Sequence, residues 1–157
     1  MLLCATFASC AGSGGGAVSY GSTPVAGAVL NSSDNVAVAV TPAAGMADFE
    51  TSRLTSRVKA ALDKKRAGNS GPARKVAVHV QMSRYDKGNA FARAMLAGLG
   101  QIHIDANVTA TAGGNPLMSF PVKKTFAWGG MMGGMTDISQ VEVGFAEKVA
   151  GGLTGKK

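Results

Sequence analysis

The chain has 157 residues, enough for one domain with a real core plus a tail. Its 16 basic and 9 acidic side chains give a formal charge of +7, but residues 1–52 hold no Lys or Arg, so the remainder carries about +10. Acids are too few to suggest a catalytic carboxylate pair, and no Ser, His and acid stand at a recognisable spacing, so composition offers no enzyme signature.

The first ten residues, MLLCATFASC, are apolar and short. Phe7-Ala8-Ser9-Cys10 resembles a lipobox, in which small residues precede a cysteine that becomes the acylated N-terminus. The basic n-region and longer apolar run of a secretory signal are missing from this stretch, and nine residues are too few to span a bilayer. Two readings stay open: the true start lies upstream of Met1, or the lipobox likeness is accidental. Ala11 to Gly16 supplies the flexible tether a lipoprotein needs, which favours Cys10 as the lipidation site. Ala11, in place of aspartate, points by the usual sorting pattern to the outer membrane, with the protein facing the periplasm. Cys4 would leave with the signal, so no disulfide is expected in the mature chain; a Cys4–Cys10 bridge requires that the segment be kept. The expected organisation is a signal-like segment at 1–10, a flexible Gly/Ser-rich linker at 11–33 and a single α+β domain at 34–157. Within the linker, Ala26 to Leu30 is a candidate edge strand.

Val36, Val38 and Val40 alternate with alanines, which predicts a small-residue strand buried on both faces and ended by Thr41-Pro42. From Asp48 to Arg66, Leu54, Val58, Ala61 and Leu62 recur at helical spacing. Asp48 or Thr51 is the expected cap, and Lys64-Lys65-Arg66 sit at the negative end of the dipole. After a turn cluster at Gly68 to Pro72, Lys75 to Arg84 alternates, with Val76, Val78, Val80 and Met82 on one face and Ala77, His79 and Gln81 on the other. Asn89 then caps a short helix of small residues, ended by Gly98 and Gly100, whose alanines would let it pack closely on a neighbour. From Gln101 the period is two, with Ile102, Ile104, Ala106, Val108 and Ala110 on one side.

Tyr85, Lys87-Gly88-Asn89, Ala92-Arg93-Ala94 and Gly98-Leu99-Gly100, followed by that alternating strand, resemble the DUF4410 family of bacterial lipoproteins. The resemblance covers roughly residues 34 to 153. It implies a lipid-anchored envelope protein without an assigned activity, and a fold like the TolB N-terminal domain and the auxiliary lipoproteins of ABC-type lipid transport systems. The family brings no active site to carry over.

Beyond the strand, Gly113 to Pro116 signals a hairpin. The return strand, Leu117 to about Trp128, puts Met118, Phe120, Val122, Phe126 and Trp128 on one side, with Pro121 marking an edge or irregular position. A Met/Gly loop spans residues 129–135. Asp137 then caps a last helix with Ile138, Val141, Phe145, Val149 and Leu153 as its apolar stripe. The order β-α-β-(short α)-β-β-α predicts an α+β sandwich, with two amphipathic helices on one face of a small, mostly antiparallel sheet.

His79 and His103 would be neighbours if their strands pair, yet two nitrogens do not complete a metal site, and no metal or other cofactor is expected. Met131, Met132 and Met135 offer soft ligands for copper(I), but methionine in a glycine loop reads first as cover for the core or as an adaptable partner contact. Arg93 reads as a solvated or locally paired arginine, with an anion or partner contact as the alternative. Gly151 to Lys157 fails as a phosphate-binding loop because it ends a helix instead of opening one. The expected function is that of a non-enzymatic envelope lipoprotein, an accessory or assembly subunit. It would contact a second envelope protein or further copies of itself through Met131, Met132, Met135 and Arg93, and the membrane through Cys10. The alternatives are a ligand-binding auxiliary subunit of a lipid or small-molecule transporter and, since aromatics are sparse, the less favoured nucleic-acid binder.

Overall fold

Alternation and helical periodicity become four strands and three helices in a computed structural model, which describes residues 29–95, 99–127 and 135–156. In chain order these are β1 (Asn35–Thr41), α1 (Asp48–Arg66), β2 (Lys75–Asp86), α2 (Ala90–Met95), β3 (Ile102–Ala112), β4 (Asn115–Phe126) and α3 (Ile138–Thr154). The strands form one sheet in the order β1-β2-β3-β4. β1 and β2 are parallel, joined through α1, while β2–β3 and β3–β4 are antiparallel. The fold is therefore α+β, in the order the sequence predicts.

One face of the sheet makes the core. Val76, Val78, Val80 and Met82 of β2 and Ile102, Ile104 and Val108 of β3 are buried in one cluster with Leu54, Val58 and Leu62 of α1 and the Ile138–Val141–Phe145–Val149–Leu153 stripe of α3. Each such side chain gains roughly 1.5–3 kcal/mol on leaving water. The other face carries Ala37, Ala77, His79, Gln81, Asn107, Ser119, Pro121 and Lys123, all exposed. This corrects the expectation for β1. Val36, Val38 and Val40 are half-buried and Ala37 and Ala39 exposed, because β1 is an edge strand covered on one side only. β4 is the other edge, which is why it tolerates Pro121.

The ends of the elements largely follow local chemistry. Gly113 and Gly114 have φ of 57° and 85° and pair Ala112 with Asn115, a two-residue hairpin turn that needs left-handed backbone. Asp137 caps α3 by accepting from the Ser139 N–H at 2.7 Å, as expected. α1 is capped differently from the expectation. Its cap residue is Ala47, which has no side-chain acceptor, and the Glu50 carboxylate reaches back to accept the Ala47 N–H at 3.0 Å.

The packed chain begins ahead of β1. Leu30 is fully buried and donates its N–H to the Leu153 carbonyl at 2.9 Å, while Arg74 holds Asp34 by two hydrogen bonds of 2.9 and 2.7 Å. Val29 and Leu30 are not in a strand. Leu30 serves as a plug at the end of α3.

Candidate functional site

The C-terminal end of β1 and β2 is where α1 and α3 begin, where α2 stands and where β3 starts. Five of the seven large exposed apolar side chains among the described residues belong to segments at this end: Phe49 (65% exposed), Phe91 (71%), Met95 (66%), Leu99 (54%) and Met135 (74%). Lone exposed apolar residues need no explanation, but a concentration at one end of a domain does.

Several contacts hold these segments in place. Lys87 pairs with Glu50 at 2.9 Å, tying the start of α1, beside Phe49, to the loop before α2. Asn89 caps α2 by accepting from the Ala92 N–H at 3.0 Å, and its own N–H bonds the Gly100 carbonyl at 3.1 Å, next to Leu99. The Arg53 guanidinium lies 5.6 Å from the centre of the Phe49 ring. The alanine-rich α2 does not pack on a neighbouring helix or strand among the described residues, contrary to expectation, and its Phe91 and Met95 face solvent.

Beneath this surface lies a buried ionic cluster. Glu142 of α3 is 0% exposed and accepts four hydrogen bonds: from Arg53 Nε at 2.9 Å and Nη2 at 3.0 Å, from Arg57 Nη1 at 2.7 Å, and from the Tyr85 hydroxyl at 2.6 Å. Arg57 also donates to the Ser139 carbonyl. A β-bulge delivers Tyr85: the β2–β3 register shifts between Met82 and Arg84, so alternation breaks, Arg84 stays outside and Tyr85 turns inward. Burial first, then the hydrogen bond to Glu142, pushes the Tyr85 phenol far above its ordinary range. Glu142 raises the Arg53 guanidinium further, against the opposing effect of burial. Every oxygen of the carboxylate is satisfied and closed off from solvent, so the cluster reads as a joint between α1, β2 and α3. For Glu50, the burial penalty is outweighed by the Ala47 N–H, Lys87 and Arg53, and its carboxyl lies below the usual value.

The structure places the sequence-predicted residues unevenly. Met135 is exposed three residues ahead of α3, and the backbone of Arg93 lies in α2, so the two fall at the same end of the sheet. Cys10, Met131, Met132 and the side chain of Arg93 lie outside the described residues. The two histidines are not neighbours although β2 and β3 pair. His79 stands opposite Thr109 and His103 opposite Asp86, six residues apart along β3 and so roughly 20 Å by strand rise. Each ring has a hydroxyl partner instead, Thr41 for His79 at 2.6 Å and Thr125 for His103 at 3.2 Å. Among the described residues no cluster of three or more His, Cys, Asp or Glu has the arrangement of a metal site, and no helix is long and apolar enough to cross a membrane.

Sequence reasoning missed Phe49, Phe91, Met95 and Leu99, because apolar residues on short or amphipathic helices read as core. It also missed Glu142. The available signals were a glutamate four residues after Ile138 and three before Phe145, on the apolar stripe, and two arginines four apart on α1.

A family model described as "Domain of unknown function (DUF4410)" matches residues 28–130. Two solved structures of the PelC dodecamer from Paraburkholderia phytofirmans are similar in fold. One, a point variant, is 14% identical over 80% of this chain and 90% of that chain, with a TM-score of 0.57. The other is 16% identical over 82% of this chain and 93% of that chain, also with a TM-score of 0.57. At such identities the likeness concerns the fold alone. No curated protein matches the chain.

Proposed function

This chain belongs to the DUF4410 family, and on that premise we propose that it is a non-enzymatic accessory or assembly subunit of the bacterial envelope. It works by protein–protein contact at the apolar end of its sheet. Residues 11–28 act as the tether from a lipid-modified Cys10, so the domain is held at the outer membrane while remaining free to turn toward a partner. The observation that carries this reading is the gathering of Phe49, Phe91, Met95, Leu99 and Met135 at one end of the domain. Aromatic residues and methionine are the types enriched in the desolvated centres of interfaces, and methionine adapts to partners of different shape. The dodecameric state of the two PelC structures supports a second copy of the chain as the first partner to test.

The test is the mass in solution of the full chain, by light scattering over a concentration series, beside the double variant Phe91→Ser/Met95→Ser. The expected result is an assembly that the variant reduces to monomer. A wild-type chain that stays monomeric throughout, and whose crosslinked partners in envelope preparations are unchanged by the variant, overturns the reading.

A further inference from the structure

Along the flank of α3 that faces β4, a cavity of about 470 Å³ runs from Gly144 past the C-terminal end of the helix to Lys156. Its walls carry Lys65 of α1, Lys124 of β4, and Lys148 and Lys156 from α3 and the residues just after it. The single carboxylate among its lining residues is Glu147. None of the six ion pairs found among the described residues uses any of these four lysines. Lys65, Lys124 and Lys156 are half-buried. Ammonium groups gathered around one concavity repel one another and lose hydration, so the arrangement favours an anion as the missing charge.

Part of the basic charge has a structural use. Lys156 donates to the Lys65 carbonyl at 2.7 Å, and Lys65 to the Lys156 carbonyl at 3.5 Å, so the two lysines tie the C-terminal ends of α1 and α3 together. The other two are not needed for that tie. Among the described residues Lys148 bonds one acceptor, the Lys123 carbonyl, at 3.0 Å. Lys124 lies across α3 at Gly144, where a Cβ would come within 2.8 Å of its Cε, so the glycine opens the path by which this ammonium reaches the cavity. An ammonium has three donors, so a lysine bonded once still has two to offer. The chain enters the domain here as well. Leu30 bonds Leu153, and Val29 comes within 3.2 Å of the Cβ position of Gly155, which lines the cavity.

We propose that this lysine cavity is an anion site that takes a phosphate group, carried by a lipid headgroup or free in solution. Lys124 and Lys148 are its principal donors, while Lys65 and Lys156 hold its walls. The site does not depend on the apolar end of the sheet, and it stands or falls separately from the function proposed above.

The test uses the full chain carrying Cys10→Ser, so that no acyl group contributes. Thermal stability is followed as inorganic phosphate replaces chloride at constant ionic strength, and co-sedimentation is measured with vesicles of phosphatidylglycerol against phosphatidylcholine. Lys124→Gln/Lys148→Gln is compared with Lys59→Gln/Lys75→Gln, which removes the same charge from exposed positions elsewhere. The expected result is a phosphate-dependent rise in Tm, or retention on the anionic vesicles, that weakens by roughly tenfold or more in the cavity variant and is little changed in the control. Phosphate alone being effective assigns the site to the free anion; vesicles alone being effective assigns it to lipid headgroups. Absence of both effects, or an equal loss in the two double variants, overturns the proposal. If the cavity double variant does not fold by circular dichroism, Lys148→Gln alone, at an exposed position with one carbonyl contact, decides in the same way.

Discussion

The two ends of this domain use the same device and differ in what surrounds it. At the end where β2 stops and α3 starts, Arg53 and Arg57 turn inward onto Glu142, with Tyr85 as a third donor, and the residues left outside are Phe, Met and Leu. At the end where the chain enters, Arg74 grips Asp34, Arg66 bonds the carbonyls of Asn31, Ser32 and Asp34, and Lys65 and Lys156 tie the helix ends together. Arginine closes both joints because its planar fork satisfies a carboxylate or several carbonyls at once, which lysine cannot do. The net charge of +7 is therefore not an even coat. Several arginines are consumed as internal fastenings, and lysine supplies the cationic surface along the flank of α3.

Removing Glu142 has the largest expected effect. Glu142→Ala leaves Arg53, Arg57 and Tyr85 around an empty site and should cost about 3–5 kcal/mol in urea unfolding. A loss below about 1 kcal/mol would mean that the cluster does not join the three elements. Asp34→Asn, at the other end, should cost less, about 1–3 kcal/mol, since the neutral amide keeps some of the hydrogen bonds.

Asp34 also makes the stability depend on pH. Burial raises the Asp34 carboxyl, but hydrogen bonds and charge from Arg74 and the Asn31 N–H together outweigh it, and its value lies below the ordinary aspartate range. A depressed folded value means that Asp34 contributes stability fully above its unfolded value, about 3.9, and loses it as pH falls through the folded value. The Tm difference between wild type and Asp34→Asn should therefore be constant near neutrality and shrink below about pH 4. A difference that grows in acid would contradict the linkage. The smallest effect on stability belongs to Phe91→Ser/Met95→Ser, within about 0.5 kcal/mol for exposed positions. A large loss of Tm there would show that α2 supports the core and is not a free contact surface.

Much of the architecture was legible in order along the chain. The stripe Ile138–Val141–Phe145–Val149–Leu153 and its Asp137 cap are as predicted, because a single helix packed on a single face obeys its own period. β2 followed alternation as far as Met82 and departed where the bulge keeps Arg84 out of the core and brings Tyr85 in. Alternation gave no sign of it, since a bulge depends on pairing with β3. β1 misled for a related reason: valine–alanine alternation is compatible with one covered face or two, and only the sheet order puts the strand at an edge. The expected cap of α1, Asp48 or Thr51, was wrong because Ala47 holds that position and Glu50 supplies the acceptor from inside the helix.

Local sequence by itself determined the class of fold, the element order, the hairpin and the core-facing residues of the long helices. These follow from steric and hydrophobic periodicity over a few residues at a time. Tertiary structure decided which charges are spent, which apolar residues stay exposed, and how far apart the histidines lie. Such facts depend on the register of strands and on the meeting of residues dozens of positions apart. Arg53 and Glu142, separated by 89 positions, become partners only when α1 and α3 lie side by side.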